Sequence, residues 1–151
     1  MATLWRLFRA AHGPGLDGAG AFFTSGRWNA LGQPTVYFGA CAAIAVLERL
    51  AHTDSDLVPA DLRLGLFEYP DTIACPRVET LYSLPPDWGR NEAATRHLGK
   101  EWRNSGTSCM LAVPSVVLPE ERNVVFNPQH PDARLVRIVK ERPFCFDVRV
   151  I

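Results

Sequence analysis

Short strand patterns, separated by turns and not by regularly spaced helices, are the feature that most constrains the fold of this chain. Apolar side chains at every second position predict strands over 62–67 and 144–150. Apolar runs predict further strands over 3–9, 36–38, 123–126 and within 108–118. Pro114 interrupts the last of these, which is either two short strands or one edge strand with a break. Because helices do not alternate with the strands, we expect an α+β fold of short mixed or antiparallel strands, not a doubly wound parallel sheet.

Two segments have the composition of helices. Residues 40–52 are rich in Ala and Leu, which favour helix. Residues 92–104 follow Asn91, a residue type that caps helix N-termini, and precede Gly106, a residue type that ends helices. Glycines predict a loop over 13–20, and five prolines between positions 59 and 86 predict loop with short strand pieces through the 70s and 80s.

Length and charge limit the domain organisation and the classes of partner. The chain has 151 residues, 16 of them Lys or Arg and 16 Asp or Glu, with no repeat or linker, so we predict one domain over 1–151. Zero net charge and the lack of a basic stripe argue against direct binding of nucleic acid. No apolar run is long enough for a membrane span, and the first residues do not resemble a secretory signal. These observations predict a cytoplasmic protein.

The cysteine and histidine positions argue against a metal site. The four cysteines never form a close pair, and the four histidines are equally scattered; the cysteines are Cys41, Cys75, Cys109 and Cys145. We therefore predict a reduced, metal-free protein whose thiols act as small core side chains.

A carboxylate interrupts the apolar face of the first predicted helix. With 100° between successive residues, Cys41, Ile44, Leu47 and Ala51 form one apolar stripe, and Glu48 falls inside it. A carboxylate on a packing face is costly unless it is paired or lines a cleft. Two interpretations remain open at this point. Either the face is partly exposed and Glu48 extends to solvent or pairs with an arginine, or Glu48 points into an active site.

Two further residues upstream have the chemistry of a binding site. Arg27 follows Gly26 in the segment Ser25–Asn29, where glycine lets the backbone approach a ligand and a guanidinium suits a phosphate or carboxylate. The same segment is also typical of an ordinary turn. Tyr37 should face the opposite side of its strand from Val36 and Phe38, as a site residue or as an ordinary packing tyrosine.

Several motifs follow one another in a fixed order along almost the whole chain. They are Leu4-Trp5-Arg6, Gly18-Ala19, Gly26-Arg27-Trp28-Asn29, Val36-Tyr37, Ala45-Val46-Leu47-Glu48, Leu98-Gly99-Lys100-Glu101-Trp102, Leu111-Ala112-Val113-Pro114-Ser115, Asn123, Asn127-Pro128-Gln129-His130-Pro131 and Phe146-Asp147-Val148-Arg149. In this order they resemble the RES domain family, the toxins of a type of bacterial toxin–antitoxin system. The Arg, Glu and Ser that name the family correspond to Arg27, Glu48 and Ser115, with Ser108 as the alternative serine. Ser25 departs from the glycine that the family usually has.

The resemblance implies a fold similar to the ADP-ribosyltransferase toxins and NAD as substrate. Members of the family look like growth-arresting enzymes that cleave the nicotinamide–ribose bond and pass ADP-ribose to phosphate or water. Apart from NAD and a phosphate co-substrate, the resemblance implies no cofactor. It also implies a hetero-oligomer with an antitoxin that carries a helix-turn-helix part and blocks the toxin cleft. The alternatives are an ADP-ribosyltransferase that modifies a cellular protein and, more distantly, a non-catalytic binding module.

The resemblance also assigns roles to individual residues. Glu48 would stabilise the positive ribose, Arg27 would bind the pyrophosphate or the ribose side, and Tyr37 would stack on nicotinamide. Ser115 would hold Glu48 or the nicotinamide amide through its hydroxyl. Four residues form a second group of binding candidates: Arg6 as a further phosphate contact, Trp28, Asn127 and His130. The structural alternatives are an exposed edge arginine for Arg6, a packing residue for Trp28 and a residue that caps a turn for His130.

Overall fold

The computed structural model describes residues 1–151 apart from the side chain of Ser55. Its strands and helices are β1 (Ala2–Arg9), β2 (Val36–Gly39), α1 (Ala42–Ala51), β3 (Leu62–Tyr69), α2 (Val78–Leu81), α3 (Glu92–Ser105), β4 (Met110–Pro114), β5 (Arg122–Phe126) and β6 (Arg137–Pro143). Short 3-10 helices lie at Ala10–His12, Ala19–Phe22, Ser55–Leu57 and Pro131–Leu135. Both predicted helices are present, and the predicted strands over 3–9, 36–38, 62–67 and 123–126 are confirmed.

The strands form one antiparallel sheet of six, in the order β4-β5-β2-β1-β3-β6. β1 pairs with β3 along its whole length, from Ala2 opposite Tyr69 to Arg9 opposite Leu62. In contrast, the pairing of β1 with β2 is confined to Trp5 and Gly39. The α+β prediction is therefore confirmed, and the sheet has a gap where β1 and β2 separate beyond that pair.

The two faces of the sheet are covered in different ways. On one face, Phe38 centres an apolar cluster, with its ring centroid 4.9 Å from that of Phe67 and 5.8 Å from that of Phe126. The other, which we call the helix-bearing face, carries α3 through Leu98 and Trp102. It also carries α1, whose Val46 and Leu50 pack against a cluster of Leu7, Leu62, Leu64 and Phe146. Because alternate residues of a strand point to opposite faces, Tyr37 lies on the helix-bearing face.

Helix α3 follows from its local sequence. The Asn91 side chain accepts a hydrogen bond from the Ala94 N–H (3.0 Å), and Gly106 ends the helix with a φ of 64°, a conformation that glycine adopts without strain. Thr95, Leu98 and Trp102 are buried at helical spacing. At 14 residues α3 spans about 21 Å, and among the described residues no helix has the length and apolarity for crossing a bilayer.

The strand predicted over 144–150 is wrong. The free edge of β3 is taken by β6, in antiparallel register from Arg63 opposite Pro143 to Glu68 opposite Arg137. β6 is mostly exposed and rich in charge, which is typical of an edge strand. Phe144 and Phe146 do pack with Leu7, Leu62 and Leu64 under α1, but Val148 is 83% exposed. The alternation therefore reflects two aromatic anchors after the last strand, not a strand.

The sheet edge at β4 answers two predictions that the sequence left open, the strand within 108–118 and the loop through the 70s and 80s. The segment 108–118 contains one strand, β4, which ends at Pro114. Its outer side is partly covered by a parallel bridge between Arg77 and Ala112, with the Ala112 N–H donating to the Pro76 carbonyl (2.8 Å). A helical turn, α2, follows this bridge, where the prolines predicted only loop and strand pieces.

The four thiols differ in burial, and we expect them to differ in reactivity for that reason. Cys109 is 0% exposed, whereas Cys145 is exposed, so the prediction of core thiols is wrong for Cys145. Burial raises the pKa of Cys75 and of Cys109 to about 11. At about pH 8 only about 0.1% of such a thiol is the reactive thiolate. We expect iodoacetamide to alkylate Cys145 well before Cys75 and Cys109, as followed by peptide mass mapping over time.

Raising the pH toward 11 should speed the two slow reactions, because it increases their thiolate fraction. The unfolded protein in concentrated guanidinium chloride is the control, in which the three thiols should react at similar rates. Alkylation of Cys109 in the folded protein as fast as that of Cys145 would contradict the burial assigned to it.

Candidate active site

Glu48 lies on α1 with its carboxylate turned toward β4 and β5. Its Oε1 accepts a hydrogen bond from Ser115 Oγ (2.5 Å) and another from Asn123 Nδ2 (2.8 Å). The side chain is 21% exposed, so it lines a surface and is not sealed in the core. Among the described side chains no arginine pairs with Glu48, so the arginine pair that the helix pattern left open is not observed. Uncharged donors orient this carboxylate without cancelling its charge.

The second carboxylate oxygen, Oε2, is left available. His52 Nδ1 lies 3.9 Å from Oε2 and 2.8 Å from the main-chain oxygen of Glu48. Because a carbonyl oxygen only accepts, Nδ1 carries the proton that it donates to that oxygen. Oε2 therefore accepts no hydrogen bond among the described residues and can meet a ligand.

Ser115, not Ser108, is the serine that reaches Glu48. Ser115 directly follows β4 and is 0% exposed, and its Oγ accepts from the N–H groups of Val117 and Leu118 (3.1 Å each). These two donors leave the single hydroxyl proton for Glu48. Ser108 lies at the other end of β4, where its Oγ donates to the Met110 carbonyl and accepts from Trp102 Nε1 (2.9 Å each).

Asn123 is a site residue to which the sequence pattern assigned no role. It lies on β5 opposite Gly39 and Val113, on the helix-bearing face of the sheet. A polar residue at an inward position of a strand is the signal that could have identified it, because such a group needs a buried partner. That partner is the Glu48 carboxylate.

Tyr37 lies on the same face as the Glu48 carboxylate. It is opposite Val125 on β5, two residues from Asn123, which is about 7 Å along a strand. The Tyr37 hydroxyl donates to Asn29 Oδ1 (2.5 Å) and accepts from the Trp28 N–H (3.1 Å). Burial raises the pKa of Tyr37 above its ordinary value, so the hydroxyl keeps the proton that it donates. The hydroxyl therefore fixes the turn at 26–29, while the ring packs against the apolar cluster on the helix-bearing face.

The turn at 26–29 wraps around this hydroxyl and leaves no space for a side chain at Gly26. A Cβ added to Gly26 would lie 2.4 Å from both Tyr37 Oη and Asn29 Oδ1. Helix α3 holds the turn from the other side, since Thr95 Oγ1 donates to the Arg27 carbonyl (2.7 Å) and Arg96 Nε to the Gly26 carbonyl (3.0 Å). The turn is thus anchored to the sheet and to α3 at once.

Arg27 projects from this turn toward the start of α3. Its Nη1 donates to the Gly89 carbonyl (3.1 Å), and its Nη2 lies 3.7 Å from Glu92 Oε1. The side chain is 24% exposed, so the guanidinium remains accessible. Arg27 makes no contact with Glu48. The turn that carries Arg27 is bonded to Tyr37, and the Glu48 carboxylate is bonded to Asn123; both of these strand residues lie on the helix-bearing face of the sheet.

Arg6 and Trp28 are both held by protein groups. The Arg6 guanidinium lies in the gap between β1 and β2, where Nε donates to the Pro14 carbonyl (3.1 Å) and Nη1 to the Tyr37 carbonyl (3.0 Å). It is not the exposed edge arginine of the structural alternative. Trp28 is 3% exposed and packs among the side chains under α3, which agrees with its alternative as a packing residue.

Asn127 and His130 are not brought to Glu48. Asn127 follows the end of β5 remote from Asn123, and its Oδ1 accepts from the Gln129 N–H (3.0 Å). Both ring nitrogens of His130 are used locally: Nε2 bonds the Gly106 carbonyl (2.9 Å) and Nδ1 accepts from the Asp132 N–H (3.1 Å). These contacts are those of residues that cap a turn, so a binding role for either one stays a prediction.

A small apolar groove of about 100 Å³ lies between α1 and the turn that follows Ser115. It is lined by Cys41, Ala43, Ile44, Leu47, Leu118 and Glu121, and not by Arg27 or Tyr37. Within the described residues, no three His, Cys, Asp or Glu side chains group as a metal ion requires. What the site presents is one oriented carboxylate, an aromatic ring and an arginine over one face of the sheet.

Comparisons with known proteins agree on one family. The RES domain matches residues 3–147. A Prs ADP-ribosylating toxin of Sphingobium sp. is 37% identical, over 99% of this chain and 96% of that protein. A toxin named Res from Pseudomonas putida is 36% identical, over 91% of this chain and 92% of its own length. A chain from the crystal structure of the M. tuberculosis MbcT–MbcA toxin–antitoxin complex superposes with a TM-score of 0.74 at 17% identity, over 95% of this chain and 84% of that one, and so shares the fold.

Proposed function

This chain belongs to the RES domain family, and from that premise we propose that it is a growth-arresting toxin that breaks the nicotinamide–ribose bond of NAD. The observation that carries this proposal is the arrangement of Glu48. Two uncharged donors hold Oε1, Oε2 is free, and Tyr37 lies alongside on the same face. A fixed negative charge beside an aromatic ring suits a substrate that develops positive charge at a ribose carbon next to a planar base.

In the reaction we propose, the bond from the ribose carbon C1″ to the nicotinamide nitrogen breaks. Its electron pair goes to that nitrogen, so the positive pyridinium becomes neutral nicotinamide. The ribose is left as an oxocarbenium-like centre, which the Glu48 carboxylate stabilises electrostatically. Water or phosphate then forms the new bond to C1″, and in the case of water a proton passes to solvent. Because nicotinamide is a good leaving group, the chemistry depends mainly on positioning and charge.

The remaining site residues position the reactants. Ser115 and Asn123 keep Glu48 in one orientation, and Tyr37 offers its ring to nicotinamide. Arg27, held beside Gly89 and partly exposed, binds a phosphate or ribose oxygen at the other end of the site. Since Ser115 donates its only proton to Glu48, we assign it to holding the carboxylate and not to the nicotinamide amide.

A second candidate is transfer of ADP-ribose to a cellular protein by the same residues. The observation in its favour is that the relative from Sphingobium sp. is named as an ADP-ribosylating toxin. Cleavage of the same bond precedes transfer in both cases, so the two functions differ only in the acceptor.

We also propose that a cognate antitoxin with a helix-turn-helix part binds this chain and blocks the site. The shared fold with a chain of a solved toxin–antitoxin complex supports such a partner. The toxin and its antitoxin would then form a hetero-oligomer, in which the site between the turn at 26–29 and Glu48 is closed.

The test is incubation of the purified protein with NAD labelled in its adenine part, with and without phosphate, followed by mass identification of products. We expect release of nicotinamide, with the label in ADP-ribose or, when phosphate is present, in ADP-ribose 1″-phosphate. Label on a protein after addition of cell lysate would support the second candidate. No release of nicotinamide under any of these conditions would contradict both and favour a non-catalytic binding module.

A further inference from the structure

Glu92, the first residue of α3, places one carboxylate between two arginines. Its Oε1 lies 3.7 Å from Arg27 Nη2, and its Oε2 lies 2.7 Å from Arg96 Nη2. The Glu92 side chain is 52% exposed, so the three charges meet at the protein surface and not in the core. The positive charge of Arg27 is therefore partly balanced by a carboxylate of the chain itself.

Both arginines are also held by main-chain groups. Arg27 Nη1 donates to the Gly89 carbonyl (3.1 Å). Arg96 Nε donates to the Gly26 carbonyl (3.0 Å). At 3.7 Å, the contact between Glu92 and Arg27 is too long for a hydrogen bond, so it attracts the guanidinium without fixing its orientation. The direction of Arg27 therefore depends on Gly89 and on the turn at 26–29, and not on Glu92.

The proposed function requires Arg27 to bind an oxygen of the substrate. The nitrogen that the described residues leave without a hydrogen bond is Nη2, and this is the nitrogen that Glu92 approaches. Ion pairs between exposed side chains are weak, and the diphosphate of NAD carries more negative charge than one carboxylate does. A bound diphosphate can therefore displace Glu92, whose side chain is exposed enough to turn into solvent.

We propose that Glu92 competes with the substrate for Arg27 and so sets how tightly the site binds a nucleoside diphosphate. In the unliganded protein its carboxylate lies against the guanidinium, and an anionic ligand takes its place. A residue that only positioned Arg27 would act in the opposite direction, because its loss would weaken binding. The inference deepens the proposed function and rests on it for the assignment of Arg27 to the substrate.

The test compares binding of ADP and of adenosine to the wild type and to Glu92→Gln by calorimetry. Loss of the competing charge should lower the Kd for ADP by about threefold, the size expected for a pair as exposed as this one. The Kd for adenosine, which has no phosphate, should stay the same. The matched control is Glu101→Gln, since Glu101 also lies on α3, is 47% exposed and pairs with His97 at 3.0 Å. This control should bind ADP as the wild type does.

A double-mutant cycle tests whether the effect passes through Arg27. In an Arg27→Gln background, Glu92→Gln should change the Kd for ADP by less than about 1.5-fold, because the group for which Glu92 competes is gone. An unchanged or raised Kd for ADP in Glu92→Gln alone would overturn the inference. The same threefold gain with and without Arg27 would overturn it as well.

Turnover separates this inference from the proposed function. Glu92→Gln should lower the KM for NAD by the same factor and leave kcat unchanged, because Glu48 and its two donors are untouched. If the wild type releases no nicotinamide while Glu92→Gln binds ADP more tightly, the competition stands and the proposed function falls. If NAD is consumed while both proteins bind ADP equally, only the inference about Glu92 falls.

Discussion

Glu48→Gln should lower NAD turnover by about 10³-fold and lift growth arrest, while the protein keeps its fold. The amide oxygen of glutamine can still accept from Ser115 and Asn123, so the side chain keeps its position and loses only its charge. What disappears is the negative charge that stabilises the developing ribose cation. Turnover is measured as nicotinamide released by the purified variants, and growth arrest by expression of each variant in bacteria.

The positioning residues should give smaller effects than Glu48 itself. Ser115→Ala and Asn123→Ala each leave the charge in place and remove one of its two donors, so we expect losses of about tenfold. Glu120→Gln is the matched control, since it removes a carboxylate from an exposed part of the β4–β5 turn. Turnover by Glu48→Gln within tenfold of the wild type would show that this carboxylate does not stabilise the reaction.

Gly99→Ala should destabilise the protein by about 3 kcal/mol. A Cβ at this position would lie 1.8 Å from the carbonyl oxygen of Trp28 and 2.8 Å from its carbonyl carbon, both of them backbone atoms. Relief therefore requires α3 to move away from the turn at 26–29, which breaks the packing of Trp102 and displaces Arg27. Helix propensity alone predicts the opposite sign, a gain of about 1 kcal/mol. Urea unfolding followed by circular dichroism measures the difference.

The control for this prediction is Gly20→Ala. Gly20 also lies in a helical turn, but a Cβ added there meets no atom within 4 Å, so its stability should change by less than about 0.5 kcal/mol. Because the turn also carries Arg27, Gly99→Ala should lose NAD turnover together with stability. A Gly99→Ala protein as stable as the wild type would contradict the close contact between α3 and the turn.

Helix α3 and strand β3 could be predicted because their signals are local. Asn91 and Gly106 mark the two ends of α3, and the residues between them repeat at helical spacing. The alternation over 62–67 similarly predicted β3, although the structure extends it to Tyr69. In each case the residues that define the element lie within it.

The end of the chain shows why such signals can fail. Alternation over 144–150 identified side chains that turn inward, but it contains no information about which segment takes the free edge of β3. That edge went to β6, whose Arg137, Lys140 and Glu141 suit an exposed strand. Pairing is a property of two segments, and the partner of β3 lies about 70 residues further along the chain.

The sequence by itself determined that this chain forms an α+β domain and that Glu48 is a carboxylate on a packing face. It did not determine that Ser115 and Asn123, 67 and 75 residues away, donate to that carboxylate. Local spacing sets which way a side chain faces, whereas its partner depends on how the strands are ordered in the sheet. Only the tertiary structure, which brings the ends of β4 and β5 under α1, decided what surrounds the acid.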